Sequence, residues 1–213
     1  MDGKRPRVAL VDYGMGNLAS VAKALERNGA DVTLTDSPSQ VRRSGAVVLP
    51  GVGAFRDAVG RLRRTGLDAA VTERIAAGVP FLGVCLGLQL LFERSFEGGE
   101  WCGLGVFGGD VVRLETSLKV PQIGWNELRF RPPGKSLAAG LEAPVYVYFV
   151  HSFVVWPDDP SVVAATTDYD GDRVAAVVRD NVWAVQFHPE KSSGVGLRML
   201  ASFVDAVRGE RAA

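Results

Sequence analysis

The stretch Phe81-Leu82-Gly83-Val84-Cys85-Leu86-Gly87 decides the fold, because in it an apolar run ends at a cysteine that stands between two glycines. The run 81–84 is typical of a strand buried on both faces, and the apolar residues of 86–92 predict a helix directly after it. A G-x-C-x-G segment between a strand and a helix parallels the G-x-S-x-G turn that exposes a nucleophile in hydrolases. The sequence therefore predicts an α/β fold with a sharp strand-to-helix turn at Cys85.

The residues before this stretch repeat the alternation of strand and helix. Apolar runs at 8–11, 32–35 and 46–49 predict buried strands. Helical spacing follows the first run, with Asn17 as predicted N-cap and Gly29 as stop, and a second helical stretch covers 54–77 with a break at Gly66. Strands that alternate with helices, each apolar on both faces, indicate a parallel sheet covered on both sides.

The second half of the chain has a different pattern. Apolar runs at 145–150, 162–166, 174–178 and 182–187 are separated by turn residues, which predicts antiparallel strands joined by hairpins. A closing helix is indicated by Val195, Met199, Phe203 and Val207. The fold class we expect is α/β, a mostly parallel central sheet flanked by helices, with antiparallel strands added in the C-terminal half. We expect one domain over residues 1–213.

Composition excludes several classes of function. The 213 residues include 24 Lys+Arg and 24 Asp+Glu, for a net charge of +0, which gives no electrostatic basis for binding nucleic acid or anionic lipid. No apolar stretch is long enough to span a membrane, and we expect a cytoplasmic protein with reduced thiols. With two Cys and two His, a cysteine-based metal cluster is excluded, and we expect neither a metal nor a cofactor.

Cys85, His188 and Glu190 are the candidate catalytic residues. The positive end of a helix favours an ionised thiolate at Cys85, and the N–H of Leu86 is the natural first donor to an oxyanion. His188 follows a predicted strand and would serve as the base, with Glu190 orienting its ring from two residues further on. The alternative is that Cys85 is a small buried apolar residue. Cys102 and His151 are interpreted as structural.

Two glycine-rich segments each have two interpretations. In Pro50-Gly51-Val52-Gly53 the glycines allow the Val52 peptide to turn an N–H toward a neighbouring oxyanion, but they equally fit a simple turn. The segment 14–19 fits G-x-G-x-x-A after a strand, with Asp36 placed like a ribose-binding acid, which is the pattern of a dinucleotide site. The same glycines also fit a tight turn or a close partner surface.

Taken together, the chain resembles the glutaminase subunits of imidazole glycerol phosphate synthase, which are triad-type, class-I glutamine amidotransferases with a flavodoxin-like fold. The resemblance covers nearly the whole chain. It rests on the segments 12–18 (DYGMGNL), 50–53 (PGVG), 83–90 (GVCLGLQL), 121–126 (PQIGWN), 148–152 (YFVHS) and 186–192 (QFHPEKS). The cysteine turn and the His-Pro-Glu are shared by all triad glutaminases, whereas DYGMGN, PGVG and PQIGWN are distinctive of this branch.

The resemblance implies that L-glutamine is hydrolysed to glutamate and ammonia by Cys85, His188 and Glu190. It further implies that Gln89 and Glu97 hold the substrate and that Val52 supplies an oxyanion N–H under control of a partner. That partner is a (βα)₈-barrel cyclase, which forms a heterodimer with the glutaminase and uses the ammonia to make imidazole glycerol phosphate and AICAR in histidine biosynthesis. Phe153 stands where the family often has Tyr. A glutaminase of another synthase, a dinucleotide-binding module and a catalytically silent scaffold are the alternatives.

Overall fold

A computed structural model describes residues 5–209 of the chain and contains two β-sheets and six α-helices. In chain order the strands are β1 (Arg7–Val11), β2 (Asp31–Thr35), β3 (Ala46–Gly51), β4 (Phe81–Cys85), β5 (Phe92–Ser95), β6 (Trp101–Cys102), β7 (Phe107–Arg113), β8 (Gln122–Phe130), β9 (Tyr146–His151), β10 (Phe153–Pro157), β11 (Val163–Asp168), β12 (Asp172–Arg179) and β13 (Val182–Val185). The helices are α1 (Leu18–Arg27), α2 (Pro38–Arg43), α3 (Phe55–Thr65), α4 (Leu67–Ala76), α5 (Leu86–Gln89) and α6 (Ser193–Arg208).

The central sheet has nine strands in the order β2-β1-β3-β4-β13-β12-β11-β8-β9. In the first half of this order, from β2 through β1, β3 and β4 to β13, neighbouring strands are parallel. In the second half, from β13 through β12, β11 and β8 to β9, neighbouring strands are antiparallel. This confirms the α/β class and the antiparallel addition in the C-terminal half. One strand has a role that the hairpin pattern did not indicate: β13 is antiparallel to β12 but parallel to β4, so it joins the two halves of the sheet.

Two apolar layers cover this sheet. On one face, α1 and α6 bury side chains such as Leu25, Met199 and Phe203 in one core cluster. On the other, α3 and α4 bury Phe55 and Leu67 in a second cluster. The predicted break between these two helices is confirmed at Gly66, which adopts φ 70°. Among the described helices, none is long and apolar enough to cross a membrane.

One local prediction is wrong, and several strands were not predicted. The helix predicted for 86–92 ends at Gln89, because Phe92 leaves it to begin β5 and stacks on the ring of Phe107 at 5.6 Å. The sheet β10-β7-β5-β6, to which Phe92 belongs, was not predicted, and neither was β8. Asn17 occupies the N-cap position of α1 but its side chain makes no capping hydrogen bond. The predicted stop of α1 is confirmed, since Gly29 follows its C-cap with φ 84°.

Candidate active site

Cys85 is the last residue of β4 and has a strained backbone, with φ 54° and ψ −108°. The two flanking glycines make this turn possible. A Cβ at Gly87 would overlap the carbonyl oxygen of Leu49 in β3, and a Cβ at Gly83 would lie 2.9 Å from the carbonyl oxygen of Gly87. Backbone strain of this kind costs about 1–3 kcal/mol and persists where the surroundings enforce it. The sequence thus builds a turn that holds one side chain, the Cys85 thiol, in a fixed position.

His188 and Glu190 form a buried pair at the end of the neighbouring strand. The carboxylate Oε1 of Glu190 lies 2.8 Å from Nδ1 of His188, and the two side chains are 1% and 3% exposed. With Nδ1 facing a carboxylate, the ring presents Nε2 to its surroundings, and this buried atom has no hydrogen-bond partner in the described structure. Cys85 and His188 line the same cavity. The structure therefore brings the three predicted catalytic residues together.

A buried serine fixes the segment that carries this pair. The Ser192 hydroxyl donates to the carbonyl of His188 at 2.7 Å and accepts the N–H of Tyr148 at 3.0 Å. The N–H of His188 in turn donates to the Tyr148 carbonyl at 3.0 Å. Ser192 is 0% exposed, so no water competes for these bonds. The imidazole is thereby tied to β9 as well as to its own strand.

The charge state of His188 makes stability depend on pH. Burial disfavours the imidazolium, but the interactions of the ring with the nearby Cys85 and with the Glu190 carboxylate outweigh it, and the pKa of His188 rises from 6.5 to about 9. Because the folded protein binds this proton more tightly than the unfolded chain, its stabilisation is complete below about pH 6.5. It is lost as the pH rises through about 9.

We expect urea unfolding to show this directly. Between pH 6 and pH 9.5, the free energy of unfolding of the wild type should fall by roughly 3 kcal/mol more than that of His188→Asn. His188→Asn serves as the reference because it lacks the titrating group while leaving the others in place. Equal pH dependence in the two proteins would contradict the raised pKa.

The glycine-rich segment after β3 lies directly beside the Cys85 turn. Gly51 pairs with Cys85 in the sheet, and a Cβ on it would lie 2.9 Å from that of Leu86. Gly53 adopts φ 93°, and Val52 between the two glycines is 41% exposed at the cavity. Leu86 begins α5, so its N–H has no acceptor within the helix. Both predicted oxyanion segments therefore border the thiol.

Tyr13 holds the base of this segment. Its phenol donates to the carbonyl of Pro50 at 3.0 Å and is 5% exposed. Burial and the nearby Cys85 raise the pKa of Tyr13 well above its usual range, so the phenol keeps the proton that it donates. Gly16 lies near the same loop, since a Cβ on it would be 3.7 Å from the Pro50 ring. The opening segment of the sequence thus supports the Pro50 loop.

The dinucleotide interpretation of that opening segment receives no support from its contacts. The Gly14 N–H donates to Asp12 at 2.8 Å, and the Gly14 carbonyl accepts from Arg61 at 3.1 Å. A Cβ at Gly14 would overlap the Arg61 guanidinium. Both peptide groups of this glycine are therefore engaged within the protein. Asp36 lies with them around a separate cavity of about 400 Å³.

A cavity of about 290 Å³ opens over the thiol. Its lining consists of Val52, Gly53, Cys85, Leu86, Gln89, Glu97, Val150, His151, Ser152, Phe153, His188 and Lys191. Both predicted substrate-binding side chains thus reach it, and each also has a partner in the protein. Glu97 accepts the N–H of Phe55, the first residue of α3, at 2.7 Å, where no local side chain caps that helix. The Gln89 amide nitrogen donates to the carbonyl of Phe153 at 3.0 Å.

His151, for which a structural role was predicted, lies in the wall of this cavity. Nδ1 lies 3.0 Å from the Phe153 carbonyl, which can only accept, so Nδ1 carries the proton. Burial lowers the pKa of His151 to about 4 in spite of that hydrogen bond. The neutral ring leaves Nε2 buried and without a partner in the described residues, and the side chain lines the cavity. His151 is thus part of the cavity wall, and only half of its hydrogen-bonding capacity is satisfied.

Gln186 is a site residue that sequence reasoning missed. It is 0% exposed, follows β13 directly and donates from Nε2 to the Cys85 sulfur over 3.7 Å. Its signal in the sequence was a polar side chain at the end of an apolar strand, two residues before His188. By contrast, Cys102 is exposed in β6 and lies outside the cavity lining.

The mixed sheet, with a thiol on a strained turn at the carboxyl end of a parallel strand, is the architecture of an α/β enzyme with a cysteine in its candidate active site. A family model described as "Glutamine amidotransferase class-I" matches residues 9–207, and the chain belongs to that family.

Three relatives carry the same name, "Imidazole glycerol phosphate synthase subunit HisH". The chain is 52% identical to the protein from Rhodopirellula baltica over 201 residues, which covers 93% of this chain and 97% of that protein. It is 49% identical to the one from Moorella thermoacetica, covering 94% and 95%. It is 50% identical to the one from Thermosynechococcus vestitus, covering 95% and 98%.

Solved structures show the same fold at lower identity. A structure of PurLQS from Thermotoga maritima superposes with a TM-score of 0.75 at 20% identity, covering 95% of this chain and 99% of the other. A crystal structure titled as a glutamine amidotransferase gives 0.73 at 22%, covering 94% and 98%. These likenesses confirm the architecture derived above.

Proposed function

We propose that the chain is the glutaminase subunit of an imidazole glycerol phosphate synthase, acting in histidine biosynthesis. It hydrolyses L-glutamine to glutamate and ammonia through Cys85, His188 and Glu190, and the ammonia passes to a separate cyclase subunit. The observation that carries the proposal is that His188, buried and paired with Glu190, lines one cavity with a thiol on a strained turn. Relatives of that name, about half identical over nearly their whole length, support the choice of synthase.

The first chemical step is attack of the Cys85 thiolate on the side-chain carboxamide of glutamine. A carbon–sulfur bond forms and the carbonyl oxygen takes up the negative charge. Leu86 and Val52 line the cavity together with Cys85, and their backbone N–H groups would stabilise this oxyanion, an effect typically worth a hundredfold or more in rate per donor, about 3 kcal/mol. His188, protonated in this environment, gives its Nε2 proton to the departing nitrogen, and ammonia leaves as the carbon–nitrogen bond breaks.

The second step hydrolyses the γ-glutamyl thioester. Neutral His188 now takes a proton from water, the resulting hydroxide attacks the carbonyl carbon, and the Cys85 thiolate leaves with glutamate released. Glu190 keeps the ring in the orientation that presents Nε2, and it stabilises the imidazolium that is present before the first step and forms again in the second. Ser192 holds the backbone of His188 through both steps.

The partner subunit is proposed to be a (βα)₈ barrel that docks at the mouth of the cavity. An apolar face on β8 and β9 supports this location: Ile123, Trp125 and Tyr146 are 58%, 50% and 47% exposed. The rings of Trp125 and Tyr148 pack edge to face with their centroids 6.1 Å apart. Lys191, which lines the cavity, lies over the same Tyr148 ring. Contiguous exposed apolar surface of this kind marks interaction sites. A partner seated there would also close the cavity from which the ammonia leaves.

Glutamine hydrolysis measured with and without the cyclase tests this proposal. We expect the cyclase and its nucleotide substrate to raise the rate of glutamate release in the wild type by at least tenfold. Trp125→Ala should require roughly ten times more cyclase for the same rate, because a large aromatic contact is lost. Glutamate release that does not respond to the cyclase would contradict the proposal and point to another synthase.

We propose a cytoplasmic location because neither cysteine forms a disulfide. Cys85 and Cys102 are both free, and Cys102 is exposed to solvent, which suits a reducing compartment.

A further inference from the structure

We propose that Gln186 is a further catalytic residue, whose side-chain amide donates to the Cys85 sulfur and stabilises its thiolate, and that Gln89 positions this amide. The proposal deepens the proposed function, because it rests on Cys85 as the nucleophile. It assigns Gln89 a second role besides facing the substrate.

The position of Gln186 follows from the sheet. β13 lies next to β4, and its register places Val185 beside Val84, so Gln186 follows one strand where Cys85 ends the other. Its backbone N–H is tied to the carbonyl of Ala175 at 2.8 Å. The side chain is fully buried, with Nε2 at 3.7 Å from Sγ of Cys85, a length suited to the large sulfur atom.

The orientation of the Gln186 amide is fixed by a chain of hydrogen bonds that starts at a backbone carbonyl. The Phe153 oxygen can only accept, so the Gln89 atom 3.0 Å from it is the nitrogen. This same nitrogen lies 3.0 Å from the Gln186 side chain, where its second hydrogen needs an acceptor, which is Oε1. The remaining atom of the Gln186 amide is therefore Nε2, and this is the atom that faces the sulfur.

An amide N–H in this position acts on the ionised sulfur more than on the neutral thiol. Hydrogen bonds to charged acceptors are stronger than those to neutral ones, most of all where water is excluded. The other titratable groups around Cys85 are His188, with its partner Glu190, and Tyr13. His151, Glu97 and Lys191 line the same cavity. Gln186 does not titrate, so its N–H donor is present at every pH at which the thiolate forms.

Gln89 has both amide hydrogens engaged inside the protein, on Phe153 and on Gln186. In this state it acts on Cys85 through Gln186, which makes it a positioning residue as well as a residue of the cavity wall. Its carbonyl oxygen is the part of the amide left for a ligand. Loss of Gln89 would free the Gln186 amide to turn its oxygen toward the sulfur.

The test is the pH dependence of Cys85 alkylation by iodoacetamide, in the full chain without glutamine. Peptide mass mapping separates Cys85 from the exposed Cys102. We expect Gln186→Leu to move the midpoint of the alkylation curve to higher pH by about one pH unit. Gln186→Glu should move it further, since a carboxylate repels the thiolate, and Gln89→Met should move it in the same direction by less. Gln122→Leu removes another fully buried amide, one that is not part of the cavity lining and has no hydrogen-bond contact with Gln89 or Gln186, and should leave the midpoint unchanged.

A wild-type midpoint in folded Gln186→Leu would overturn the proposal. Thermal unfolding by circular dichroism establishes which variants fold. If Gln186→Leu does not fold, Gln186→Glu is used for the same measurement. Its carboxylate can still accept the hydrogen bond from Gln89, so this buried contact is kept. An unchanged midpoint there overturns the proposal equally. Alkylation needs no substrate, so failure of the chain to hydrolyse glutamine would defeat the proposed function while leaving this measurement valid.

Discussion

Replacing Cys85 with alanine is expected to reduce glutamine hydrolysis by the complex with the cyclase at least a thousandfold. The thiol is the atom that bonds to substrate carbon, and neither His188 nor Glu190 can replace it, so the loss should approach that of removing a whole triad. Cys85 is buried, with 7% of the residue exposed, and alanine is small enough to replace it without widening the turn. Steady-state glutamate release, measured with saturating cyclase, gives the ratio.

Two controls separate loss of chemistry from loss of the protein. The same Cys85→Ala complex should still make product when ammonium salts replace glutamine, because the cyclase reaction needs ammonia and not the thiol. Cys102→Ala should retain full glutaminase activity, since this cysteine is exposed and lies outside the cavity lining. Substantial glutamine hydrolysis by Cys85→Ala would mean that Cys85 is the small apolar residue of the alternative interpretation.

Gly87→Ala is expected to have the largest effect on folding. Its Cβ would overlap the Leu49 carbonyl oxygen, which belongs to the backbone of β3 and cannot move without displacing the neighbouring Gly51 segment. Overpacking in a core costs typically 1–3 kcal/mol, and a clash between two backbones is at the upper end or beyond. We therefore expect a loss of about 3 kcal/mol or more in the free energy of unfolding, measured by urea titration, or insoluble protein.

Gly194→Ala is the matched control for this substitution. Gly194 lies in α6 with no atom within 4 Å of its would-be Cβ, so alanine should be neutral or stabilise the protein by up to about 1 kcal/mol. Equal stability of the two variants would show that the turn at Cys85 tolerates a side chain, contrary to the overlap described above.

The sequence predicted the parallel half of the sheet and the catalytic cluster because both depend on local patterns. Apolar runs predicted β1, β2, β3 and β4, and the positions of Cys85 and His188 after predicted strands placed them at one edge of the sheet. Gly66 and Gly29 lie at helix ends as predicted, because glycine adopts the positive φ of such an end whatever distant residues contact it.

What the sequence did not predict depends on contacts between distant residues. The second sheet brings β10 beside β7, some forty residues earlier in the chain, and no short-range signal marks such a pairing. The helix that begins at Leu86 ends early, and Phe92 instead begins β5, where its ring stacks on that of Phe107. Gln186 looked like an ordinary strand residue until the fold placed Cys85 and Gln89 on either side of it.

The central claim, that Cys85 is the nucleophile of a glutaminase, is tested most directly by labelling with a glutamine analogue that carries an electrophilic diazoketone in place of the carboxamide. The chain in complex with the cyclase is incubated with the analogue, digested and mapped by mass spectrometry. The account predicts one label per chain, on Cys85, with loss of glutamine hydrolysis in proportion to labelling and protection by glutamine. A label on Cys102 or on another residue, or inactivation without a label on Cys85, would contradict it.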